Sequence, residues 1–412
     1  MLSQSRYRLR RRDWTFRIAW IPALIWIGSW GQAWSQLQRI TEEDFTPASQ
    51  CGQCHQEIYS QWLQSMHSQS LQDPLYRTVV NKMIEETEGE QKAFCLSCHA
   101  PVASVAGKIL NLPTPLNWDH FSKIAQEGVT CDFCHTISGD ENLGQNISVG
   151  AYVYPRSGAT STKYGRHPDA ATPAHQTKSS QFLTSAEFCA VCHSFKHPVQ
   201  KAEIQSTYLD WLAGPYARQG TRCQDCHMPV YSGRTAAEGR PRDRIHAHVF
   251  AGGRTAVIRR AATVSVWAVK ESRDGGTRLA VTASVTNSGA GHRIPTGIPG
   301  IRQMVLTIQA LGPDGRTLGE ETVTFGQLLL KDDDSYALPW EEFRFLEDNT
   351  ILPQQSKQGQ LDVDLPGQLR GEIKLRASLF MRLISEEMAR RLNLPIPEPT
   401  LMTESETTVT VP

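Results

Sequence analysis

A chain of 412 residues, 40% hydrophobic and 20% charged, is long enough for two or three domains and reads as soluble and globular. Its 42 basic and 42 acidic side chains cancel only because of the N-terminus: without the first 35 residues, which hold six arginines and one aspartate, 36 basic face 41 acidic side chains, a net charge of −5. No basic stretch is then left to hold nucleic acid, and the electrostatics favour a basic or neutral protein partner.

The first segment reads as an address. Arg6, Arg8, Arg10, Arg11, Arg12 and Arg17 precede an apolar run from Ile18 to Gly31, broken only by Pro22 and Ser29. The run has signal-peptide length and is short for a membrane span, and Ala33 and Ser35 supply small residues before a cut that would leave Gln36 as the mature N-terminus. Residues 1–35 are therefore expected to be a signal peptide; the alternative is an uncleaved anchor lengthened by Trp30 and Trp34, the chain's one expected contact with a membrane. Either way the chain is expected outside the cytoplasm, periplasmic or extracellular, in a Gram-negative bacterium.

Residues 36–253 carry five copies of C-x-x-C-H: Cys51/Cys54/His55, Cys95/Cys98/His99, Cys131/Cys134/His135, Cys189/Cys192/His193 and Cys223/Cys226/His227. In this pattern two thiols form thioethers to a haem and the following His becomes an axial ligand of its iron. Zinc sites, redox dithiols and disulfides also use paired cysteines, but none requires a His directly after the second one. With His at 13 of 412 positions, five such coincidences have a chance on the order of 1 in 10 million or less. All ten cysteines are consumed, and five covalently bound haem c groups are expected.

The five motifs occupy 177 residues, too few for a separate apolar core, so the haems are expected to fill the interior of a region of short helices and long loops, with loops at 111–117, 138–161 and 167–174. A repeat is visible. Phe94-Cys95 and Phe188-Cys189 begin pairs whose second members, Cys131 and Cys223, follow Glu127-Gly128 and Gln219-Gly220 at intervals of 36 and 34 residues. Trp62…His67 is echoed by Trp211…Tyr216, which makes His67 a candidate sixth ligand and Tyr216 a buried aromatic. Eight histidines lie outside the motifs: His67, His120, His167, His175, His197, His246, His248 and His292. Five irons accept at most five of them.

From residue 254 onward period-two patterning takes over. Leu279, Val281, Ala283 and Val285 alternate with polar or small residues, as do Ile373, Leu375, Ala377 and Leu379, and Asp274-Gly275 and Asp314-Gly315 read as hairpin turns. The expected fold class is α+β and multidomain, a mostly helical and looped pentahaem domain with stacked haems followed by an antiparallel β-sandwich over 254–412 with one helical insertion at 385–393. In the sandwich, Gly289-Ala-Gly-His292-Arg-Ile-Pro295-Thr-Gly297 is a tight loop aiming one imidazole outward, a candidate haem ligand supplied across the domain boundary.

From about Ser49 to Arg382 the motifs together resemble the large multihaem cytochrome c family that includes the tetrahaem electron carrier of ammonia oxidisers and is related to hydroxylamine oxidoreductase-like proteins. The residues carrying the resemblance are Trp62-x-x-Ser65-x-His67 after the first motif, Phe94 and Pro101 around the second, Glu127-Gly128-Val129 before the third, Thr207-Tyr208-x-x-Trp211-x-x-x-Pro215-Tyr216 before the fifth, and Gly291-His292-x-x-Pro295-Thr-Gly297. The resemblance implies distal ligands at His67, His175, His248 and His292, with the fifth iron open or served by His120, His197 or His246. Five motifs where the oxidoreductase has eight, and no C-x-x-C-K, leave neither hydroxylamine oxidation nor the nitrite-reductase chemistry supported. The implied function is electron transfer along mostly bis-His haems, with other cytochromes or a membrane quinol-linked complex as redox partners. The alternative is an oxidoreductase with one open haem iron acting on a small nitrogen or sulfur compound.

Overall fold

Alternation of apolar and polar side chains decides the second half of the chain. The computed structural model describes residues 40–140, 152–153, 162–197, 203–273 and 276–412; the leader 1–35, the turn Asp274-Gly275 and most of the 138–161 loop lie outside them. Among the described residues eight strands follow residue 262: β1 Thr263–Arg273, β2 Gly276–Thr286, β3 Gln303–Leu311, β4 Thr317–Leu330, β5 Phe345–Asp348, β6 Ser356–Leu365, β7 Gly371–Arg382 and β8 Thr400–Val411. They form two antiparallel sheets, ordered β6-β2-β1 and β5-β4-β3-β7-β8. Every second residue turns inward. Leu279, Val281, Ala283 and Val285 on β2 meet Leu306 and Ile308 on β3, Leu361 and Val363 on β6, and Ile373, Leu375, Ala377 and Leu379 on β7 in one apolar core. Each Leu, Ile or Val buried there contributes about 1.5–3 kcal/mol. Gly315, at φ 80, turns β3 into β4 where the Asp-Gly pair predicts it.

The haem-motif region consists of short helices, among them Ala48–Gly52, Gln56–Leu63, Pro74–Glu86, Lys92–His99, Cys131–His135, Glu187–His193 and Cys223–His227. Four of the five motifs end such a helix, where the spacing i, i+3, i+4 puts both sulfurs and the imidazole on one face. Strand is present as well, including a hairpin of Val230–Arg234 with Pro241–His246 and a parallel pair of Thr162–Gly165 with Gln176–Ser179.

The main apolar cluster of this region is shared with the chain beyond residue 254. The 13-residue helix Pro74–Glu86, capped by Asp73 accepting from the Tyr76 amide at 2.9 Å, buries Val80, Met83 and Ile84 against Leu71, Leu96, Ala103 and Ile109. The other wall of that cluster comes from beyond residue 254: Leu338, Trp340, Ile384, Met388 and Ala389. Met388 and Ala389 lie on the helix Glu386–Arg391, capped by Ser385 inside the predicted insertion. Trp340 ties the two parts together, its indole donating to Glu86 at 2.9 Å and its carbonyl accepting from Gln91 at 3.0 Å. A sparse segment can have a core when a distant segment completes it. Among the described residues no helix is long and apolar enough to cross a membrane.

Candidate haem-binding sites

To hold a haem iron, a motif histidine would have to offer it an unprotonated nitrogen. A backbone carbonyl can only accept, so a ring nitrogen bonded to one carries the proton and leaves Nε2 for the metal. Nδ1 of His55 donates to Thr235 O at 2.6 Å, of His99 to Ser70 O at 2.9 Å, of His135 to Tyr164 O at 2.6 Å, and of His227 to Ala251 O. The acceptors lie 24 to 180 residues away in sequence. Burial reinforces the neutral form, holding the His99 and His135 rings below the usual histidine range and that of His193 down to about 4.

Opposite four of the five motif histidines stands a second imidazole. Ring centres are 6.5 Å apart for His55 and His175, 6.1 Å for His135 and His248, 6.4 Å for His193 and His67, and 6.2 Å for His227 and His292. An iron between two imidazoles needs about 2.0–2.1 Å to each nitrogen, which with about 1.1 Å from nitrogen to ring centre gives roughly 6.3 Å between centres. All four pairs fit that separation. Three of the second imidazoles also direct Nδ1 at a carbonyl: His175 at Gln176 O, His248 at His246 O and His292 at Arg293 O, at 2.9 to 3.0 Å. Burial presses His67 and His248 down to about 3, chiefly by desolvation and then by neighbouring histidines, so neither is charged at neutral pH.

His99 differs. Among the described residues no histidine stands at that separation from it. Instead the Tyr76 ring lies parallel to the imidazole, 3.9 Å between centres and 7° between planes, and its buried hydroxyl makes no hydrogen bond. Of the spare histidines considered for this position, His120 is exposed, His246 directs Nδ1 at Met228 O, and His197 is buried between Phe94 and Phe343, 5.9 and 5.8 Å away.

The attachment sulfurs relate one site to another. The thiols of Cys51 and Cys131, of Cys98 and Cys192 and of Cys189 and Cys223 lie near enough to shift one another's pKa. The first motif therefore adjoins the third, and the fourth adjoins both the second and the fifth. Cys54 and Cys226, of the first and fifth motifs, are the two exposed cysteines. Among the described residues no group of three or more His, Cys, Asp or Glu side chains gathers at one point, the arrangement a tetrahedral zinc site requires.

Several contacts that hold these sites carry no signal in a single sequence. The Trp62 indole donates to Val129 O at 2.9 Å and the Trp211 indole to Thr221 O at 2.8 Å. Both carbonyls lie two residues before a motif, so the Trp echo marks equivalent struts. Tyr216 rests against Gly291, where a Cβ would come within 3.3 Å of its ring. Phe250, in left-handed backbone at φ 43, is wedged against His67 at 4.2 Å and His248 at 5.7 Å between ring centres. The His292 loop is held by two clamps. Fully buried Asn287 donates to His292 O at 2.9 Å and to Ile351 O at 3.0 Å. Arg293 forks onto Asp210 of the helix Thr207–Ala213 at 2.7 and 2.8 Å and also meets Asp348, so that, with Asp210 as the main cause, its pKa is raised.

No curated protein sequence matches the chain significantly. The crystal structure of a penta-heme cytochrome c552 from Thermochromatium tepidum matches with a TM-score of 0.66 and 21% identity over 90% of this chain and 100% of that one. A putative β-galactosidase from Bacteroides fragilis overlaps 35% of this chain and 16% of its own, at a TM-score of 0.20 and 12% identity, and carries no functional implication. The chain is thus similar over residues 50–136 to the family cytochrome c554 and c-prime, and over nine-tenths of its length it has the fold of a multihaem cytochrome c.

Proposed function

We propose that the chain is an exported electron-transfer protein that holds five haem c groups, four of them between two imidazoles: His55 with His175, His135 with His248, His193 with His67 and His227 with His292. The observation that carries this reading is the set of four ring pairs, each at the separation an intervening iron requires. Haem, when bound, supplies a one-electron iron couple whose potential the axial ligands and burial set. The residues do the rest. Ten cysteines fix the groups covalently, and carbonyl-bound Nδ1 atoms hold the imidazoles in the metal-binding tautomer. In this reading residues 1–35 are the signal peptide, 36–253 the pentahaem domain and 254–412 a β-sandwich whose His292 completes the fifth site, in a protein of the periplasm or cell surface.

One observation favours a second reading for one site. His99 has Tyr76 beside it and, among the described residues, no histidine across from it, so an iron held there would keep a coordination position for a small nitrogen or sulfur compound. Low-temperature EPR of the oxidised protein separates the two. Low-spin signals alone support a pure carrier, whereas a high-spin ferric signal that shifts with cyanide, nitrite or hydroxylamine supports reactivity at His99. A mass exceeding the mature polypeptide by fewer than five haem groups would overturn both.

A further inference from the structure

The two segments that hold the imidazoles of the first site also build a cluster of arginines. His55 is bound through Thr235 O, and the Ala237 amide donates to Cys54 O at 2.8 Å, so the turn joining Val230–Arg234 to Pro241–His246 covers that motif. His175 ends the 166–175 loop, which is tied to the hairpin by Asp169 pairing with Arg240 and with Arg242, the latter at 2.8 Å. Between hairpin and loop lies an open cleft of about 490 Å³ lined by Arg166, His167, Arg240, Arg242, Asp243 and Arg244. Arg234 stands on the same hairpin. Among the described residues the opposing charges are Asp169, Asp243, Glu238 in the hairpin turn and, against Gly233, Glu57. The lining itself carries four arginines and one aspartate. Arg166 and Arg244 are exposed and stand outside the Asp169 pairs. The positive field is felt locally: burial first, and then Arg242, Arg166 and Arg240, hold His167 below its usual range.

We propose that this cleft is the docking surface for an acidic redox protein, which it seats against the first haem site, beside the exposed Cys54. The proposal rests on the electron-transfer reading. The charge complementarity is local and is hidden by the net charge of −5 beyond the leader, from which a basic or neutral partner was expected. An open cleft rimmed by long, exposed arginines suits the carboxylates of a protein face better than an enclosed small anion.

The test uses the holo-protein and an acidic flavodoxin as the probe. Binding of oxidised flavodoxin is measured by biolayer interferometry at about 20 mM ionic strength, where screening is weak. Arg166→Glu/Arg244→Glu is compared with Arg259→Glu/Arg260→Glu, the same charge change on the 3-10 turn Ala256–Arg260, where Arg260 acts on Cys226 of the fifth motif. The first pair is expected to weaken binding about tenfold or more and the second less than about twofold, with the difference vanishing near 0.5 M salt. Equal losses, or none, overturn the proposal. So does competition by millimolar phosphate that sodium chloride of equal ionic strength does not reproduce, which makes the cleft a small-anion site. Should the first pair fail to fold, steep weakening of wild-type binding with salt supports the proposal and a flat response overturns it. The underlying reading is tested separately, by potentiometric titration of the same samples. Flavodoxin that binds without the visible spectrum ever showing reduction sinks electron transfer and leaves the docking surface standing; full reduction by dithionite without flavodoxin binding does the reverse.

Discussion

Removing the Arg293 guanidinium by Arg293→Ala should unseat the loop that carries His292. The guanidinium makes two hydrogen bonds to Asp210 at 2.7 and 2.8 Å and a third contact to Asp348, and the side chains of Arg293 and Asp210 are 18% and 7% exposed. Its loss leaves the Asp210 carboxylate nearly buried, with the Ser206 hydroxyl at 3.1 Å as a remaining donor. Breaking a fully buried pair costs about 3–5 kcal/mol; the partial exposure of Arg293 reduces that to about 2–3 kcal/mol. Asn287 still holds the carbonyl of His292, so the loop should loosen rather than detach. Two measurements follow: a denaturant midpoint lowered by the equivalent of about 2–3 kcal/mol, and partial high-spin character at one haem. Arg293→Ala/Asp210→Ala should recover at least about 1 kcal/mol, since it no longer strands a carboxylate. Stability within about 0.5 kcal/mol of the parent, with one fewer low-spin haem nowhere to be seen, would refute the clamp.

His292→Ala should leave the β-sheets intact, as judged by far-UV circular dichroism, and convert a single haem to high spin; an unchanged spectrum rules out the ligand from beyond residue 254. Gly359→Val should act the opposite way. A Cβ there already comes within 2.8 Å of Val323 Cγ2 and 2.9 Å of Ile308 Cδ1, so overpacking should cost about 1–3 kcal/mol in a urea melt while the haem spectrum stays the same. For pH, burial works against the Asp348 carboxylate, but hydrogen bonds from Thr350 and the Arg293 charge outweigh it and hold its pKa below the usual carboxylate range. A carboxylate lowered on folding contributes stability above its unfolded pKa of about 3.9 that is lost as pH falls through the folded value. Acid below about pH 4 should therefore destabilise the parent more than Asp348→Asn, and parallel acid-unfolding curves would contradict this. Tyr76→Leu should alter the ligand-binding spectrum of the His99 site more than Tyr76→Phe, because the stacked ring, kept by Phe, is what lies on the imidazole; equal effects would assign the role to the hydroxyl.

Much of the chemistry was legible because it is written in adjacent residues. C-x-x-C-H needs no tertiary information to be read, and Leu279 to Val285 or Ile373 to Leu379 announce strands because period two has one physical meaning on a half-buried sheet. The turn at Asp314-Gly315 was readable for the same reason. Other features were not. The strut from Trp62 to Val129 was one of them, since a single sequence does not reveal which carbonyl an indole will reach. The cluster uniting Val80, Met83 and Ile84 with Trp340 and Met388 was invisible because its halves are about 250 residues apart, and neither half is apolar enough to declare a core.

The sequence by itself determined where the five C-x-x-C-H motifs stand and which imidazole follows each pair of sulfurs, because relations between near neighbours along a chain depend on spacing alone. Only the tertiary structure decided which of eight spare histidines stands across from which motif, that His99 has a tyrosine beside it, and that scattered arginines meet around the first site. Those relations are distances between segments far apart in the chain, set by how sheets, helices and loops pack and by nothing local.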